Sequence, residues 1–575
     1  MPYRAPVSEF RFILDHIVGL GQVAATDRFS EASPDTVDAI LTEAGRMCEE
    51  VFAPINRNGD LYPAVLENGV VRASNGFDKG YDAMADGGWM GISAPEEFGG
   101  MGLPHTLTTA FNDMAAASCL ALGLNPLLTQ GQIEALEAHA PDWMKDLYLP
   151  KLISGEWTGT MNLTEPQAGS DVGALSTKAE PNGDGSYAIT GQKIFISWGD
   201  HDLAGNVCHA VLARLPDAAP GTKGISLFMV PKIIPNADGS LGEPNSLRVL
   251  SLEHKMGIHG SPTCVMSYEA ATGWLIGEPN KGMAAMFTMM NNARLAVGVQ
   301  GIGVADGAYQ HALAYALDRK QGKTPVQGTD LGTGTIIDHA DVRRMLLTMK
   351  ADLFASRSIA LACAVALDME KAGAGGDWSA RAALLTPIAK AFGTETGVRV
   401  AELGVQVHGG MGFIEETGAA QYSRDVRVTT IYEGTNGIQA MDLVARKMMD
   451  GGEMAATLLD EIEDLAESAR TRMPQLCLPV WQAAETLREA TEWMVAQDDL
   501  NERFAGAMPY LMAFARVLGG HYHLKAAMEE GEEGPRYKLA RFYITRLLPE
   551  YGGLLAQAKA GAADLYALSP EEMNV

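Results

Sequence analysis

The sequence predicts an α+β fold of several domains, in which a strand-rich middle region separates two helical regions. Three observations support this prediction. The chain has 575 residues, more than the roughly 250–300 at which a single hydrophobic core stops growing. Helical spacing of apolar residues dominates up to about residue 155 and again after about 280. Between them, short apolar runs alternate with turn clusters, a pattern typical of β-strands.

The first region, residues 1–157, is predicted to be a helical domain. Its helical segments are interrupted by the glycine-rich turn FGGMG (98–102) and by Pro126 and Pro141, which we expect to break helices. The N-terminal segment carries charges throughout, so it does not have the apolar core of a secretory signal. We find no run of about 18 uncharged apolar residues that would span a membrane. A cytoplasmic location is therefore expected.

The second region, residues 158–277, is predicted to be a β domain. The apolar runs VCHAVLARL (207–215) and GISLFMVP (224–231) have the length of buried strands. The stretch TKAEPNGDGSYAITG (177–191) is typical of two strands joined by a tight turn.

Helical patterns return in residues 278–450 and continue beyond Gly451–Gly452 into residues 451–575. We predict a helical domain for the first range and an additional C-terminal helical domain for the second. In the first, four apolar residues recur on one helix face: Val342, Leu346, Met349 and Leu353. The second contains 11 basic and 20 acidic residues, a net charge of -9.

The charge balance argues against a nucleic-acid-binding surface and against adhesion to an anionic membrane. The net charge is -27, from 44 basic and 71 acidic residues, whereas both kinds of binding need clustered Lys and Arg. The six cysteines are widely scattered without metal-site or redox spacing, so we expect free thiols in a reducing compartment and no metal site.

Short strings that suggest other nucleotide sites are incomplete. GIGVADG (301–307) has one residue too many between its last two glycines for a dinucleotide-binding motif. GKT (322–324) lacks the glycine that a phosphate-binding loop requires at position 317, which is Leu317. HExxH and GxSxG motifs do not occur in the sequence, which disfavours a zinc protease or a serine hydrolase.

Four segments, taken together, form a specific combination. MNLTEPQAGSDVGALSTKA (161–179) and GQKIFISWG (191–199) open the strand-rich region, and QVHGGMGF (406–413) and RDVRVTTIYEGTNGIQ (424–439) follow much later. In this order they resemble the acyl-CoA dehydrogenase family over about residues 40–450. The resemblance implies an N-terminal helical domain, a β-barrel-like domain and a four-helix bundle, with FAD bound between the last two.

Oxidation of an acyl-CoA needs a strong base, because the α-hydrogen of a thioester is only weakly acidic. A carboxylate in a water-poor pocket meets this need, since desolvation raises its pKa. The thioester oxygen needs hydrogen-bond donors as enolate charge develops. The resemblance implies that Glu433, the glutamate of YEGT, is the base and that its backbone N–H helps to bind this oxygen. The β-hydrogen would then leave as a hydride to the flavin.

The resemblance also assigns residues to the cofactor and the substrate. Those expected around the flavin ring are Met161, Leu163, Thr164, Phe195, Ser197 and Thr435. Arg319, Gln406 and Gly410 match residues that hold the adenine end of FAD bound by a neighbouring subunit. They imply a homo-oligomer, either a dimer or a dimer of dimers. Ser170 matches a residue that contacts CoA, and Arg294 matches an arginine near the base.

Two features distinguish the chain from shorter family members. The segment QGKTPVQGTDLGTGTIID (321–338) is longer than the usual link, and residues 451–575 are an addition. This addition and the opening PYRAPVSEFRFILD are similar to the branch that contains 3-methylmercaptopropionyl-CoA dehydrogenases. The branch implies oxidation of a short thioether acyl-CoA to methylthioacryloyl-CoA in dimethylsulfoniopropionate breakdown. The family implies an electron-transfer flavoprotein as the electron acceptor.

Other functions on the same fold stay open. The substrate could be a short- or medium-chain fatty acyl-CoA, or the enzyme could be an acyl-CoA oxidase, which would consume oxygen and form peroxide. A nucleic-acid-associated relative of the DNA-repair type carries a basic C-terminal region, unlike the acidic 451–575. A nitroalkane oxidase would have an aspartate in place of Glu433.

Overall fold

The computed structural model describes residues 3–322 and 334–574, which form two compact units. One unit is Thr42–Ala293, and the other combines Tyr3–Leu41 with Arg294–Val575. Most of the long segment 321–338 lies outside the described residues. The division into domains at residues 157, 277 and 450 stays a prediction.

Helices dominate the chain before the main sheet. The α-helices there are α1 (Val7–Phe12), α2 (Leu20–Ala24), α3 (Pro34–Met47), α4 (Ala53–Leu61), α5 (Phe77–Asp86), α6 (His105–His139) and α7 (Asp142–Ile153). π-Helical turns follow α1 at Ile13–Ile17 and separate α3 from α4 at Cys48–Phe52. A short hairpin joins β1 (Val65–Glu67) to β2 (Val70–Arg72).

Helix α6 corrects one expectation from the sequence, the break at Pro126. Pro126 lies buried inside α6 and does not end it, and the break in this helix falls instead at Cys119, whose φ and ψ are -161° and 85°. Burial of the surrounding side chains outweighs the hydrogen bond that proline removes. Among the described helices, α6 is also long and apolar enough to cross a membrane, but 89% of its apolar window is buried inside the protein. Pro141, by contrast, directly precedes α7.

The middle of the chain forms a β-barrel-like sheet, as predicted. Its strands are β3 (Trp157–Asn162), β4 (Lys178–Pro181), β5 (Tyr187–Ser197), β6 (Asn206–Arg214), β7 (Ile225–Pro231), β10 (Leu247–Leu252) and β11 (Thr263–Ile276). The strand order is β10-β11-β5-β4-β6-β3, and β7 pairs with both β11 and β6. The strands β7, β11, β5, β4 and β6 therefore close a ring. A separate pair consists of β8 (Ile233–Pro235) and β9 (Leu241–Pro244).

The ring encloses an apolar core to which alternate residues of its strands contribute. Ile189, Val211, Phe228 and Met266 are buried in this core. The hairpin expected around PNGDG is present: β4 and β5 pair antiparallel from Lys178 opposite Thr190 to Pro181 opposite Tyr187.

The unit that contains Arg294–Val575 is helical. The described α-helices from residue 282 onward are α8 (Gly282–Asp318), α9 (Ala340–Lys371), α10 (Trp378–His408), α11 (Ala419–Val426), α12 (Asn436–Asp442), α13 (Glu453–Ala469), α14 (Pro474–Ala496), α15 (Leu500–Glu530), α16 (Pro535–Arg546) and α17 (Glu550–Ala558). Helices α8 and α10 approach at their backbones, because a Cβ at Gly298 would lie 2.6 Å from the carbonyl oxygen of Ala389. Glycine on α8 permits this close packing.

Ion pairs link helix α15, within the predicted C-terminal addition, to α9 and α17. The Arg516 guanidinium pairs with Asp352 on α9 and with Glu550 at 2.8 Å. The side chains of Arg516 and Asp352 are only 3% and 1% exposed. Glu550 also pairs with Arg399 on α10 at 3.1 Å. Arg399 also lies 3.6 Å from Asp352, but loss of Arg516 would remove the buried cation that pairs with this carboxylate.

We therefore expect Arg516→Met to destabilise the helical unit by about 3–5 kcal/mol, the usual cost of breaking a buried pair from one side. Urea unfolding followed by circular dichroism measures this change. Arg470→Met is the matched control, because Arg470 pairs with Glu467 on the surface and its loss should change stability little. Equal stability of the two variants would contradict the importance of the Arg516 network.

Candidate functional site

Glu433 lies in a turn whose backbone is strained. Its φ is 54°, in the left-handed region that residues other than glycine seldom adopt, and Gly434 follows with a φ of 84°. The amide of the buried Gln439 donates to the Glu433 carbonyl oxygen at 3.2 Å. Thr435 caps helix α12 by accepting from the Ile438 N–H at 3.3 Å. The first turn of α12 therefore holds the conformation that presents Glu433.

Two buried cations act on the Glu433 carboxylate. Burial raises its pKa, whereas Arg294 on α8 and Lys390 on α10 lower it. The same burial lowers the pKa of Lys390 to about 8, against the attraction of Glu433. Arg294 also forms an ion pair of 3.3 Å with Asp442. The structure thus brings Arg294 and Glu433 together and adds Lys390, which the sequence analysis missed.

Several buried polar atoms beside this turn have no hydrogen-bond partner within the described part of the chain. They are Arg294 Nε, Gln300 Nε2 and Gln439 Oε1. The Oε1 atom of Gln300 accepts from the Tyr432 hydroxyl. Because unpaired buried polar atoms are rare in proteins, these atoms are suited to a polar ligand or to water.

A buried ion pair organises the β domain around the TEPQAGSD segment. Lys193 on β5 donates to Glu165 at 2.8 Å and to the Leu163 carbonyl oxygen at 2.9 Å. The Ile194 N–H donates to the Thr164 carbonyl oxygen at 3.0 Å. Burial alone would raise the pKa of Glu165, but Lys193 and hydrogen bonds lower it to about 2. The pair thereby fixes Leu163 and Thr164 beside the strand that carries Phe195.

The other residues that the sequence analysis assigned to the flavin ring in this domain lie on strands. Met161 is buried on β3, and Ser197 is part-buried at the end of β5. Phe195 is 60% exposed, a high value for an aromatic ring, and has a φ of 60°. An exposed aromatic face beside Leu163 and Thr164 fits a flat ring system such as flavin. Ser170 is exposed in the loop after β3.

The residues assigned to the adenine end lie at the ends of two helices. Arg319 directly follows α8, Gln406 lies in the last turn of α10, and Gly410 follows it; all three are exposed. The Tyr315 and His408 rings stack with centroids 4.4 Å apart, so these helix ends are adjacent. A Cβ at Gly410 would meet no atom within 4 Å.

Exposed apolar side chains follow α10. They lie on the short 3₁₀ segment Gly409–Phe413 and at the residue after it. Phe413 is 87% exposed, and Met411 and Ile414 are each 44% exposed. Contiguous apolar exposure of this kind marks interaction surfaces. Within the described residues, no group of His, Cys, Asp or Glu is arranged to hold a metal ion.

Comparison with known families matches most of the chain. Residues 35–156, 160–271 and 280–449 match the N-terminal, middle and C-terminal domains of acyl-CoA dehydrogenases. Residues 458–569 match an acetyl-CoA dehydrogenase C-terminal-like domain.

Similar proteins extend over the whole chain. A 3-methylmercaptopropionyl-CoA dehydrogenase of Ruegeria pomeroyi is 44% identical, over 99% of this chain and 96% of the relative. A butyryl-CoA dehydrogenase of Syntrophomonas wolfei is 33% identical over 99% of both chains. The crystal structure of Caenorhabditis elegans ACDH-11 in complex with C11-CoA has a TM-score of 0.77 at 20% identity, covering 93% of this chain and 91% of the other.

Lys193→Met should destabilise the β domain by about 3–5 kcal/mol at neutral pH, because it leaves Glu165 buried and unpaired. The folded-state pKa of Glu165 is depressed, so its stabilisation exists above the usual value of 4.5 and is lost as the pH falls toward 2. The difference between wild type and variant should therefore shrink in acid. Urea unfolding at several pH values measures it.

Lys151→Met serves as the control for this series, because Lys151 pairs with the more exposed Glu156. The difference in unfolding free energy between Lys193→Met and wild type could instead stay constant from neutral pH into acid. That result would show that Glu165 is not the group responsible.

Proposed function

The chain belongs to the acyl-CoA dehydrogenase family, and from this premise we propose that it oxidises a short acyl-CoA with Glu433 as the base. The observation that carries this proposal is the strained turn that holds Glu433 beside two buried cations. Burial makes the carboxylate a stronger base, while Arg294 and Lys390 favour its ionised form. These properties are those that removal of an α-proton requires.

In the proposed reaction Glu433 takes the α-proton and the β-hydrogen leaves as a hydride, so that a carbon–carbon double bond forms. We assign the Glu433 backbone N–H to the thioester oxygen, where enolate charge develops. We assign Arg294, which lies beside the base, to the substrate side of the site. Ser170, exposed in its loop, is our candidate contact for CoA.

We propose FAD as the cofactor. The ring system would lie against Met161, Leu163, Thr164, Phe195, Ser197 and Thr435. The exposed face of Phe195 and the fixed Leu163–Thr164 segment support this assignment. When bound, FAD supplies the acceptor for the hydride. Electron-transfer flavoprotein is the proposed acceptor of the electrons, and the cytoplasm the proposed location.

We further propose a homodimer or a dimer of dimers in which Arg319, Gln406 and Gly410 hold the adenine end of the partner's FAD. The open space around Gly410 and the exposed Phe413 support this proposal. Sedimentation of the holoenzyme tests it, since a fully active monomer would exclude a shared site.

For the substrate we propose 3-methylthiopropionyl-CoA, which would be converted to methylthioacryloyl-CoA. Support comes from the 44% identity to the Ruegeria pomeroyi enzyme, which extends over 99% of this chain. A second candidate is butyryl-CoA, favoured by the 33% identity to the Syntrophomonas wolfei enzyme.

Glu433→Gln should lose at least about 10²–10⁴-fold in turnover, the usual contribution of general-base catalysis. Glutamine keeps nearly the size of glutamate but cannot accept the α-proton. Anaerobic mixing with acyl-CoA, followed by flavin absorbance, measures the rate of reduction. The variant should still contain FAD and bind the acyl-CoA, and flavin reduction at the wild-type rate would contradict the assignment of the base.

A panel of acyl-CoA thioesters tests the proposed substrate under the same anaerobic conditions. 3-Methylthiopropionyl-CoA and butyryl-CoA should reduce the flavin far faster than palmitoyl-CoA does. A preference for the 16-carbon palmitoyl chain would contradict the short-chain proposal, whereas a preference for butyryl-CoA over the thioether would favour the second candidate. Oxygen uptake without an added acceptor would indicate an oxidase.

A further inference from the structure

Lys390 is a fully buried lysine to which family resemblance assigned no role. It lies on α10 with 0% of its surface exposed, and its ammonium donates to Asn436 Oδ1 at 2.8 Å. Asn436 is the first residue of α12 and comes three residues after Glu433. Lys390 therefore reaches from α10 to the end of the turn that presents the proposed base.

Helix packing explains how this ammonium reaches the turn. Glycine at position 298 of α8 lets the backbone of α10 approach, and a Cβ there would lie 3.0 Å from Lys390 Cα. Arg294 precedes Gly298 on α8 by about one helical turn. The close contact therefore brings two cations to Glu433 from two different helices.

The partners of the two cations differ. Arg294 has a carboxylate partner in Asp442, whereas the hydrogen-bond acceptor of Lys390 is a neutral amide. Asp442 and Arg446 also act on Arg294, and Glu433 acts on Tyr432. The charged groups that act on Lys390 are the carboxylates of Glu433 and Glu395 and the guanidinium of Arg294. Of the two carboxylates, Glu395 accepts a hydrogen bond of 2.8 Å from Asn436. A buried ammonium is costly unless a negative charge compensates for it, and Glu433 supplies such a charge.

We propose that Lys390 is a positioning residue for Glu433. It fixes the start of α12 through Asn436, and its charge keeps the part-buried Glu433 carboxylate ionised. This inference rests on the proposed role of Glu433 as the base. The two contributions are separable, because the first needs a hydrogen-bond donor and the second needs a positive charge. Burial raises the pKa of Glu433 and Lys390 opposes that rise, which agrees with the second contribution.

Three substitutions separate the contributions. Lys390→Gln keeps an N–H donor but removes the charge, Lys390→Met removes both, and Lys390→Arg keeps both. Lys525→Met is the matched control, because Lys525 is a part-buried lysine of the same unit that donates to the Ile17 carbonyl oxygen, but it is not among the charges that act on Glu433.

The first readout is the pH dependence of kcat/KM for butyryl-CoA with an artificial electron acceptor. Its acid limb reports the proposed base in the free enzyme. Without the Lys390 charge, the limb should move to higher pH by about 1–3 units, the usual effect of one nearby charge. Lys390→Gln and Lys390→Met should both show the shift, and Lys390→Met should also have a lower plateau. Lys390→Arg and Lys525→Met should keep the wild-type limb.

The second readout does not depend on turnover. Protonated Glu433 gives an infrared carboxyl band, which is identified by its absence from Glu433→Gln. The intensity of this band against pH follows the titration of Glu433 in substrate-free holoenzyme. Its midpoint should rise in Lys390→Gln by the same amount as the acid limb. Because Lys390→Gln keeps the donor, it provides this measurement even where Lys390→Met does not fold.

The outcomes distinguish this inference from the proposed function. Suppose that Glu433→Gln is inactive, but that Lys390→Gln and Lys390→Met keep the wild-type pH midpoints of the acid limb and of the infrared band. This result would overturn only the role of Lys390. Wild-type flavin reduction in Glu433→Gln would overturn the proposed base itself. A purely structural role for Lys390 would lower the plateau without moving the limb or the infrared midpoint, and would also overturn the inference.

Discussion

The helical unit depends on a balance between desolvation and attraction at one carboxylate. As the proposed base, Glu433 needs shielding from water to be strong, and it needs positive neighbours to stay ionised there. Arg294 and Lys390 supply those charges from α8 and α10, and both side chains are themselves buried. Their approach depends on the close packing of the two helices at Gly298. The electrostatic environment of Glu433 therefore depends on how closely these two helices pack.

Buried pairs of opposite charge also occur elsewhere in the described chain, and two of them illustrate their structural effect. Glu165 and Lys193 form a buried pair that fixes the turn after β3. Arg516 and Asp352 form another between α15 and α9. Buried pairs often contribute little net stability compared with apolar residues, but they penalise any arrangement that separates the partners. In this chain they hold backbone segments in one defined arrangement.

The exposed apolar residues on the 3₁₀ segment after α10 present the opposite situation. Phe413, Met411 and Ile414 are in contact with water in the isolated chain, which costs free energy relative to burial. Association with a second copy would recover that cost. The same segment contains Gly410 of the family motif, which has open space around it, and the exposed apolar side chains. Together these features support the proposed oligomer.

The sequence by itself determined the order of the helical and β regions, the hairpin between β4 and β5, and Glu433 as the candidate base. These features are encoded locally, in apolar periodicity, turn residues and short motifs. Tertiary structure decided the left-handed backbone of Glu433, the closure of the sheet by β7, and the burial of Pro126 within α6. It also decided the contact of Lys390, a lone lysine in the apolar helical sequence LLTPIAKAFG, with Asn436. Each of these depends on residues far apart in the chain, and local sequence carries no record of which distant groups will meet.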